Sequence, residues 1–342
     1  MVIGAGAVGG TVGGALARSG AAVLLVARGD HARALAERGL LLRTPDGAFQ
    51  VPVSVAASAA EVRLTPDDVL VFATKTHQLD AALQDWVDQP VHDGDEVLGT
   101  AGELLPALTA LNGVVAEEKA LRFFSRVFGV CVWMPAAHVT PGEVIAKSWP
   151  VAGQFHVARW PATLTTAEDR ELLDEIAAAW TPAGILIQLP ADVAPWKYNK
   201  LLSNLSNAVV ALTGSDRDGD VAAAVTREGA QVLEAAGIEY VPFDVSKAAR
   251  ANGPTLREVA GAEKVVSNST WQSLARNTGS IETDFLNGEI VRIAHSYGGD
   301  APLNAALARL ARDAAHSGRG PGELSEDELA DRLGLTDSAG IG

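Results

Sequence analysis

The chain opens Met1-Val2-Ile3-Gly4-Ala5-Gly6-Ala7-Val8-Gly9-Gly10, and Gly4, Gly6 and Gly9 fall at the spacing G-x-G-x-x-G. Alone, the spacing could mark any Gly-rich turn. Here an apolar stub, Met1 to Ile3, precedes it, a helix-like segment from about Val8 to Ser19 follows, and the apolar run Ala21 to Ala27 comes next. That order is the start of a βαβ unit with a parallel sheet. In this frame the first glycine permits a tight turn, the second lets a pyrophosphate approach the backbone, and the third lets helix and strand pack closely. The helix N-terminus then offers free N–H groups and a positive dipole end to phosphate. Gly4, Ala5, Gly6, Ala7, Val8 and Gly9 are the expected dinucleotide loop. With three residues before Gly4, the first strand is expected to be unusually short.

The end of the second strand discriminates between dinucleotides, because an acidic side chain there accepts the ribose 2′-hydroxyl and repels a 2′-phosphate. This strand ends Val26-Ala27-Arg28. Arg28 can fork onto a phosphate, so NADP(H) is the expected cofactor. Asp30, the nearest acid, is read as the N-cap of a helix from His31 to Arg38. Lys75 follows a buried strand, Val69 to Thr74, at the edge where a parallel sheet delivers functional residues, and is a second candidate cation. For both Arg28 and Lys75 the plain alternative is a solvated surface side chain. Further strands are expected at Leu108 to Leu111, Val127 to Trp133 and Glu143 to Lys147.

A chain of 342 residues suits two domains, and 48% hydrophobic against 20% charged residues is enough to build them. The formal net charge of −15 opposes a phosphate backbone, so nucleic acid is not an expected partner. Cys131 is the single cysteine, which excludes an internal disulfide framework and a cysteine metal cluster and fits a reducing cytoplasm. Residues 1 to 17 carry no charged side chain and mimic a secretory apolar segment. No basic residue precedes them, and the run is too Gly-rich and short to span a bilayer, so a cytoplasmic protein without a membrane segment is expected. His77, His92, His138 and His156 are scattered, and no metal site is expected.

From about residue 163 the texture changes: an amphipathic helix at Ala167 to Trp180, a strand at Ile185 to Gln188, then Pro190. Beyond it the segments Pro195 to Leu212, Ala222 to Ala236, Thr255 to Glu263, Glu282 to His295 and Leu303 to Ser317 all read as helix. The expected domains are 1–189, 190–318 and a polar tail 319–342 carrying a short helix near Glu326 to Leu333. On the first of these helices Lys200, Asn204 and Asn207 stand at i, i+4 and i+7 and share one face amid Leu, Val and Ala. Such a polar stripe requires a partner, either a ligand or a buried hydrogen-bond network. Ser269-Thr270 and Glu282-Thr283-Asp284 follow, the two acids being placed to favour a helix's first turn.

Taken in order, Gly4 to Gly10, the strand-end Arg28, the Lys75 segment, Asn112-Gly113, the Lys200 helix and Glu282-x-Asp284-x-x-Asn287-Gly288 resemble the ketopantoate reductase family over most of the chain. The resemblance implies an α/β fold with an N-terminal Rossmann-like domain and an all-helical C-terminal domain. It also implies NADPH-dependent reduction of a small anionic 2-oxo acid, 2-dehydropantoate first, at C2. Lys200 would then be the general acid, Asn112 would help fix the nicotinamide and substrate, and Asn204 and Asn207 would bond substrate oxygens. Glu282 would hold the substrate's hydroxyl end or orient Lys200. Thr270 would contact the carboxylate where the family usually has serine, and homodimerisation is implied by the resemblance alone. The chemistry asks for the same set, since hydride addition to a ketone builds negative charge on oxygen that a cation must meet.

Three departures fall on the substrate side. Asn207 comes one residue earlier than in the best-known members, Leu111 replaces a common Gln before Asn112, and Trp271-Gln272-Ser273 lacks the usual pattern after Thr270. Reduction of another 2-oxo acid or of an opine-type imine therefore stays open. So does a non-catalytic NADP-binding redox sensor, although a sensor has no use for the lysine at 200.

Overall fold

The computed structural model describes residues 1–214, 219–262, 268–276, 279 and 281–335. It divides into two compact units, Met1–Lys197 with Phe243–Val265, and Tyr198–Pro242 with Val266–Gly342.

The first unit is built on an eight-stranded sheet in the order Ile185–Gln188, Gly153–Trp160, Arg126–Trp133, Pro106–Thr109, Leu70–Phe72, Val2–Ile3, Leu24–Val26 and Ser54–Ala56. The last six run parallel. Gly153–Trp160 turns antiparallel against Arg126–Trp133, with Val130 opposite Val157. The two-residue central strand is held by more than its own length. The Met1 amino group donates to the Val69 carbonyl at 2.8 Å, and Gly4 N–H donates to Val26 at 3.0 Å, so the ladder continues past both strand ends.

Alternation along the buried strands sorts the core onto two faces. Val2, Leu25, Val71 and Leu108 pack with Val12 and Leu16 of helix Ala7–Arg18. Ile3, Val26, Leu70 and Phe72 pack with Leu79, Leu83 and Trp86 of helix Leu79–Val87.

Several expectations are revised. The strand expected at Leu108 to Leu111 is Pro106–Thr109, because parallel pairing to Leu70–Phe72 fixes its register. Arg28, not Asp30, occupies the N-cap position of helix Gly29–Arg38; Asp30 lies in its first turn and pairs with Arg33. Residues 255–262 are not helical: Thr255 N–H donates to Ser148 Oγ at 2.8 Å and Arg257 N–H to the Lys147 carbonyl at 2.8 Å, which ties this segment to residues 147 and 148. Glu263, the last residue of that expected helix, lies outside the described residues. Strand Gly153–Trp160 was not anticipated, because Gln154, His156 and Arg159 interrupt its apolar pattern although all three are buried. A second sheet, Ala136–Ala137, Glu143–Ala146, Leu40–Thr44 and Gly47–Val51, lies beside the Gly-rich helix.

The second unit is helical, with Asn207–Thr213, Asp220–Ala235, Ser269–Ala275, Asn287–Ser296, Pro302–His316 and Glu326–Arg332. The long helix expected over Pro195 to Leu212 is interrupted at Ser206, giving Ala194–Leu205 and Asn207–Thr213. Asn287 meets the break: its Nδ2 donates to the Leu205 carbonyl at 3.1 Å and to Asn304 Oδ1 at 2.9 Å. Among the described residues no helix is long and apolar enough to cross a membrane.

His156 yields a stability test. It is 1% exposed, stacks on Trp196 at 3.8 Å between ring centroids, and neither ring nitrogen finds a hydrogen bond among the described residues. Desolvation, assisted by the Arg250 charge, lowers its pKa to about 4. An unfolded imidazole titrates near 6.5, so between these values the unfolded chain binds more protons and stability falls as pH falls. The loss is on the order of 3 kcal/mol for this group. In His156→Phe, which keeps the stack, urea melts at pH 7 and pH 4.5 should differ by about 2–3 kcal/mol less than in the wild type. Equal pH slopes in the two proteins would refute the assignment.

Candidate functional site

The Gly-rich turn places backbone where a pyrophosphate can reach it. Gly4 has φ +97°, and a Cβ there would lie 3.0 Å from the Thr74 nitrogen. A Cβ on Gly9 would lie 2.2 Å from the Gly4 carbonyl oxygen and 3.0 Å from Ala73 Cβ, so only glycine lets the helix start this close to the strand ends. Gly6 is the opposite case: a Cβ there would meet nothing within 4 Å. Its open side gives onto a cleft of about 770 Å³ lined by Gly4, Ala5, Gly6, Arg28, His31 and Asp85, among others. Gly6 is the N-cap of Ala7–Arg18 and has no capping side chain, so the N–H groups of the first turn, at Ala7, Val8 and Gly9, are left for an anion. The dinucleotide fits this chain at the cleft's glycine edge.

Arg28 stands on the cleft wall, largely exposed, with Nη2 2.5 Å from Asp85 Oδ2. Thr74 and Gln78 line the cleft, while Lys75 between them does not, its backbone N–H turning to Gln78 Oε1 at 3.4 Å. Asn112 follows strand Pro106–Thr109, half-buried, outside the lining of this cleft.

His31 was not singled out from the sequence, yet it secures the turn. Its Nδ1 accepts from Gly142 N–H at 2.8 Å, which leaves Nε2 as the protonated nitrogen donating to the Ala5 carbonyl at 2.8 Å. The hydrogen bonds thus define one neutral tautomer. Desolvation and the adjacent His138, 4.3 Å away between ring centroids, lower the His31 pKa, which favours that form.

In the helical unit the predicted polar residues are close to one another in part. Lys200, half-buried, and Asn204, 5% exposed, are one turn apart on Ala194–Leu205. Asn207 lies beyond the Ser206 break, so it does not continue that helical face as the sequence suggested. Asn268 ties it to Thr270: Asn268 Nδ2 donates to the Asn207 carbonyl at 3.0 Å, and Asn268 Oδ1 accepts from Thr270 N–H at 2.9 Å. Asn207 Oδ1 and Thr270 Oγ1 are both buried without a hydrogen-bond partner among the described residues. Glu282 is 6% exposed and precedes the turn Thr283–Phe285; it is not in a helix's first turn, which begins at Asn287. Desolvation lowers the pKa of the Arg276 guanidinium, and the nearby Glu282 carboxylate opposes that shift. Asp284 pairs instead with Arg312.

The sequence reading also missed Lys197 and Glu117, an ion pair 3% and 0% exposed in the first unit. Lys197 lies one turn before Lys200, and only folding places a carboxylate against it. Among the described residues no group of three or more His, Cys, Asp or Glu is arranged to hold a metal ion.

Comparison with known proteins gives this geometry its setting. The family model described as ketopantoate reductase PanE/ApbA matches residues 1–161, and its C-terminal counterpart matches residues 192–315. A 2-dehydropantoate 2-reductase of Pyrococcus horikoshii is 27% identical over 320 residues, covering 91% of this chain and 95% of the relative. The crystal structure of a PanE/ApbA family ketopantoate reductase from Ralstonia eutropha superposes with TM-score 0.70 at 26% identity, over 93% of this chain and 99% of that one. A D-mandelate dehydrogenase with NADH and anilino(oxo)acetate shares the fold at TM-score 0.72 and 21% identity, over 93% and 99% of the two chains. With both halves matched by its models and the glycine turn and strand-end arginine in place, this chain belongs to the ketopantoate reductase family, as an NADP-dependent oxidoreductase acting on a CH–OH group.

Proposed function

We propose that this protein reduces 2-dehydropantoate to pantoate, with Lys200 as general acid. The observation that carries the reading is two buried polar groups without a partner among the described residues, the Asn207 Oδ1 acceptor and the Thr270 hydroxyl, in the same helical unit as Lys200, Asn204 and Glu282. A buried polar group without a partner costs roughly 1–3 kcal/mol. That cost is relieved if a ligand's hydroxyl meets the Asn207 oxygen and the Thr270 hydroxyl donates to a carboxylate. The relatives' name supplies the substrate, and a 2-oxo acid with a hydroxyl and a carboxylate presents both kinds of group.

Bound NADPH supplies the hydride for C2 of the ketone. Lys200 transfers a proton from Nζ to the carbonyl oxygen as negative charge grows there, so ketone, hydride and proton become the secondary alcohol and Lys200 is left neutral. Asn204 and Asn207 orient substrate oxygens, Thr270 receives the carboxylate, and Glu282 holds the substrate's hydroxyl end or the lysine. Asn112 fixes the nicotinamide and substrate. The 2′-phosphate falls to Arg28, and Lys75 adds positive charge at the same sheet edge.

Initial rates of NADPH oxidation with 2-dehydropantoate, beside pyruvate and 2-oxoisovalerate, test the substrate. 2-Dehydropantoate should give the highest kcat/KM, and preference for either of the others would overturn it. Lys200→Met should lose about 10²- to 10⁴-fold in kcat. In the wild type the rate of reduction should fall as rising pH deprotonates Lys200, and that alkaline limb should vanish in Lys200→Met; a limb that persists unchanged would remove the lysine from this role.

Arg28→Ala should raise KM for NADPH by about 10-fold or more and leave KM for NADH nearly unchanged, since charge-assisted bonds contribute about 1.5–3 kcal/mol. Asp85→Asn, which frees Arg28 from an exposed pair, should lower KM for NADPH by up to about 5-fold. Equal effects on NADPH and NADH would place neither residue at the 2′-phosphate.

A further inference from the structure

Thr109, Glu117 and Lys197 form a buried cluster in the first unit with no part in the chemistry just described. Thr109 ends strand Pro106–Thr109 and Glu117 lies in helix Ala116–Ala120, so the two residues bracket the loop 110–115 that carries Asn112. Thr109 Oγ1 donates to Glu117 Oε1 at 2.6 Å, and Lys197 Nζ donates to the same oxygen. One carboxylate oxygen therefore joins both ends of the loop to the first turns of helix Ala194–Leu205. The three residues are 0%, 0% and 3% exposed. Gly129 on the neighbouring strand makes room, since a Cβ there would lie 3.2 Å from Glu117 Cγ and 2.7 Å from Val193 Cγ1. At the loop's near end Ala110 N–H is held by the Phe72 carbonyl at 2.8 Å, and Gly113 takes φ +83°.

Stability alone does not call for such a pair. Two charges taken out of water are repaid only when their geometry is tight, and apolar side chains of the same volume serve a core equally well. What an apolar replacement cannot do is fix direction: a carboxylate receiving two donors sets the loop's end points to within a hydrogen bond's tolerance. We propose that Thr109, Glu117 and Lys197 are positioning residues for hydride transfer, holding the loop so that Asn112 keeps the nicotinamide and the ketone in reacting register. This rests on the reading of Asn112 given above. Displacement by about 1 Å in such an arrangement costs on the order of 100-fold in rate.

The test compares the double variant Glu117→Gln/Lys197→Met, which removes both charges at nearly constant volume, with Thr109→Val, Thr109→Ser and Asn112→Ala, using whichever 2-oxo acid is turned over fastest. The double variant should keep its Tm and a KM for NADPH within about twofold of wild type, while single-turnover NADPH oxidation slows about 10- to 100-fold. Thr109→Val should slow the same step and Thr109→Ser restore it. Adding Asn112→Ala to the double variant should cost little more than the double variant alone, because the residues act through one loop. If the double variant, or Thr109→Val should the double variant not fold, transfers hydride at the wild-type rate while Asn112→Ala is slow, the positioning role is overturned and Asn112 keeps its place. If Asn112→Ala itself is as fast as wild type, the Asn112 reading falls, and the inference falls with it.

Discussion

The carbonyl of Gly4 and the α-carbon of Gly9 approach so closely that a methyl group on Gly9 would lie 2.2 Å from the oxygen. Much of the first unit follows from that contact. It brings helix Ala7–Arg18 onto the eight-stranded sheet, where Gly13 admits Leu25, while Gly14 admits Leu40 of the second sheet. It also sets Ala5 where the His31 imidazole can clamp it to Gly142. Strand Val2–Ile3 can be as short as two residues because its flanking residues hydrogen-bond into the neighbouring strands on both sides.

The helical unit follows a different rule, satisfaction of buried polar groups. Asn287 bonds the carbonyl of Leu205 at the helix break, Asn304 bonds Asn287, and Glu228 receives the N–H groups of Leu303 and Asn304. Asn268 similarly joins Asn207 to the start of helix Ser269–Ala275. Among the described residues the side-chain oxygens of Asn207 and Thr270, like those of Asn199, Thr283 and Asn287, are buried without a hydrogen-bond partner. The sequence offered two readings of the stripe at 200, 204 and 207, a ligand or a structural network. The network is present in part: the Asn207 backbone carbonyl accepts from Asn268 Nδ2, and its side-chain oxygen stays outside it.

Where local pattern and tertiary context agree, the chain could be read directly. Helix Ala167–Trp180 and strand Ile185–Gln188 lie where periodicity put them, and helices Ala7–Arg18 and Pro302–His316 differ by a residue or so at their ends. Where a polar residue is buried, periodicity misleads. Strand Gly153–Trp160 hides behind His156 and Arg159, the latter held by the carbonyls of Val127 and Ser125 at 2.7 Å. Residues 255–262 have helical composition, but the segment is tied to residues more than a hundred positions earlier.

The sequence by itself determined the glycine turn and the cofactor class, because both depend on residues within one strand, turn and helix, whose spacing fixes their geometry. It also placed Lys200 and Asn204 beside one another, since they are one turn apart on helix Ala194–Leu205. Only the tertiary structure decided the helix break at Ser206, the pairing of Arg28 with Asp85, and the burial of Lys197 on Glu117. Each of these is set by the partner a charge or a carbonyl finds after folding. That partner is distant along the chain, and no local periodicity encodes it.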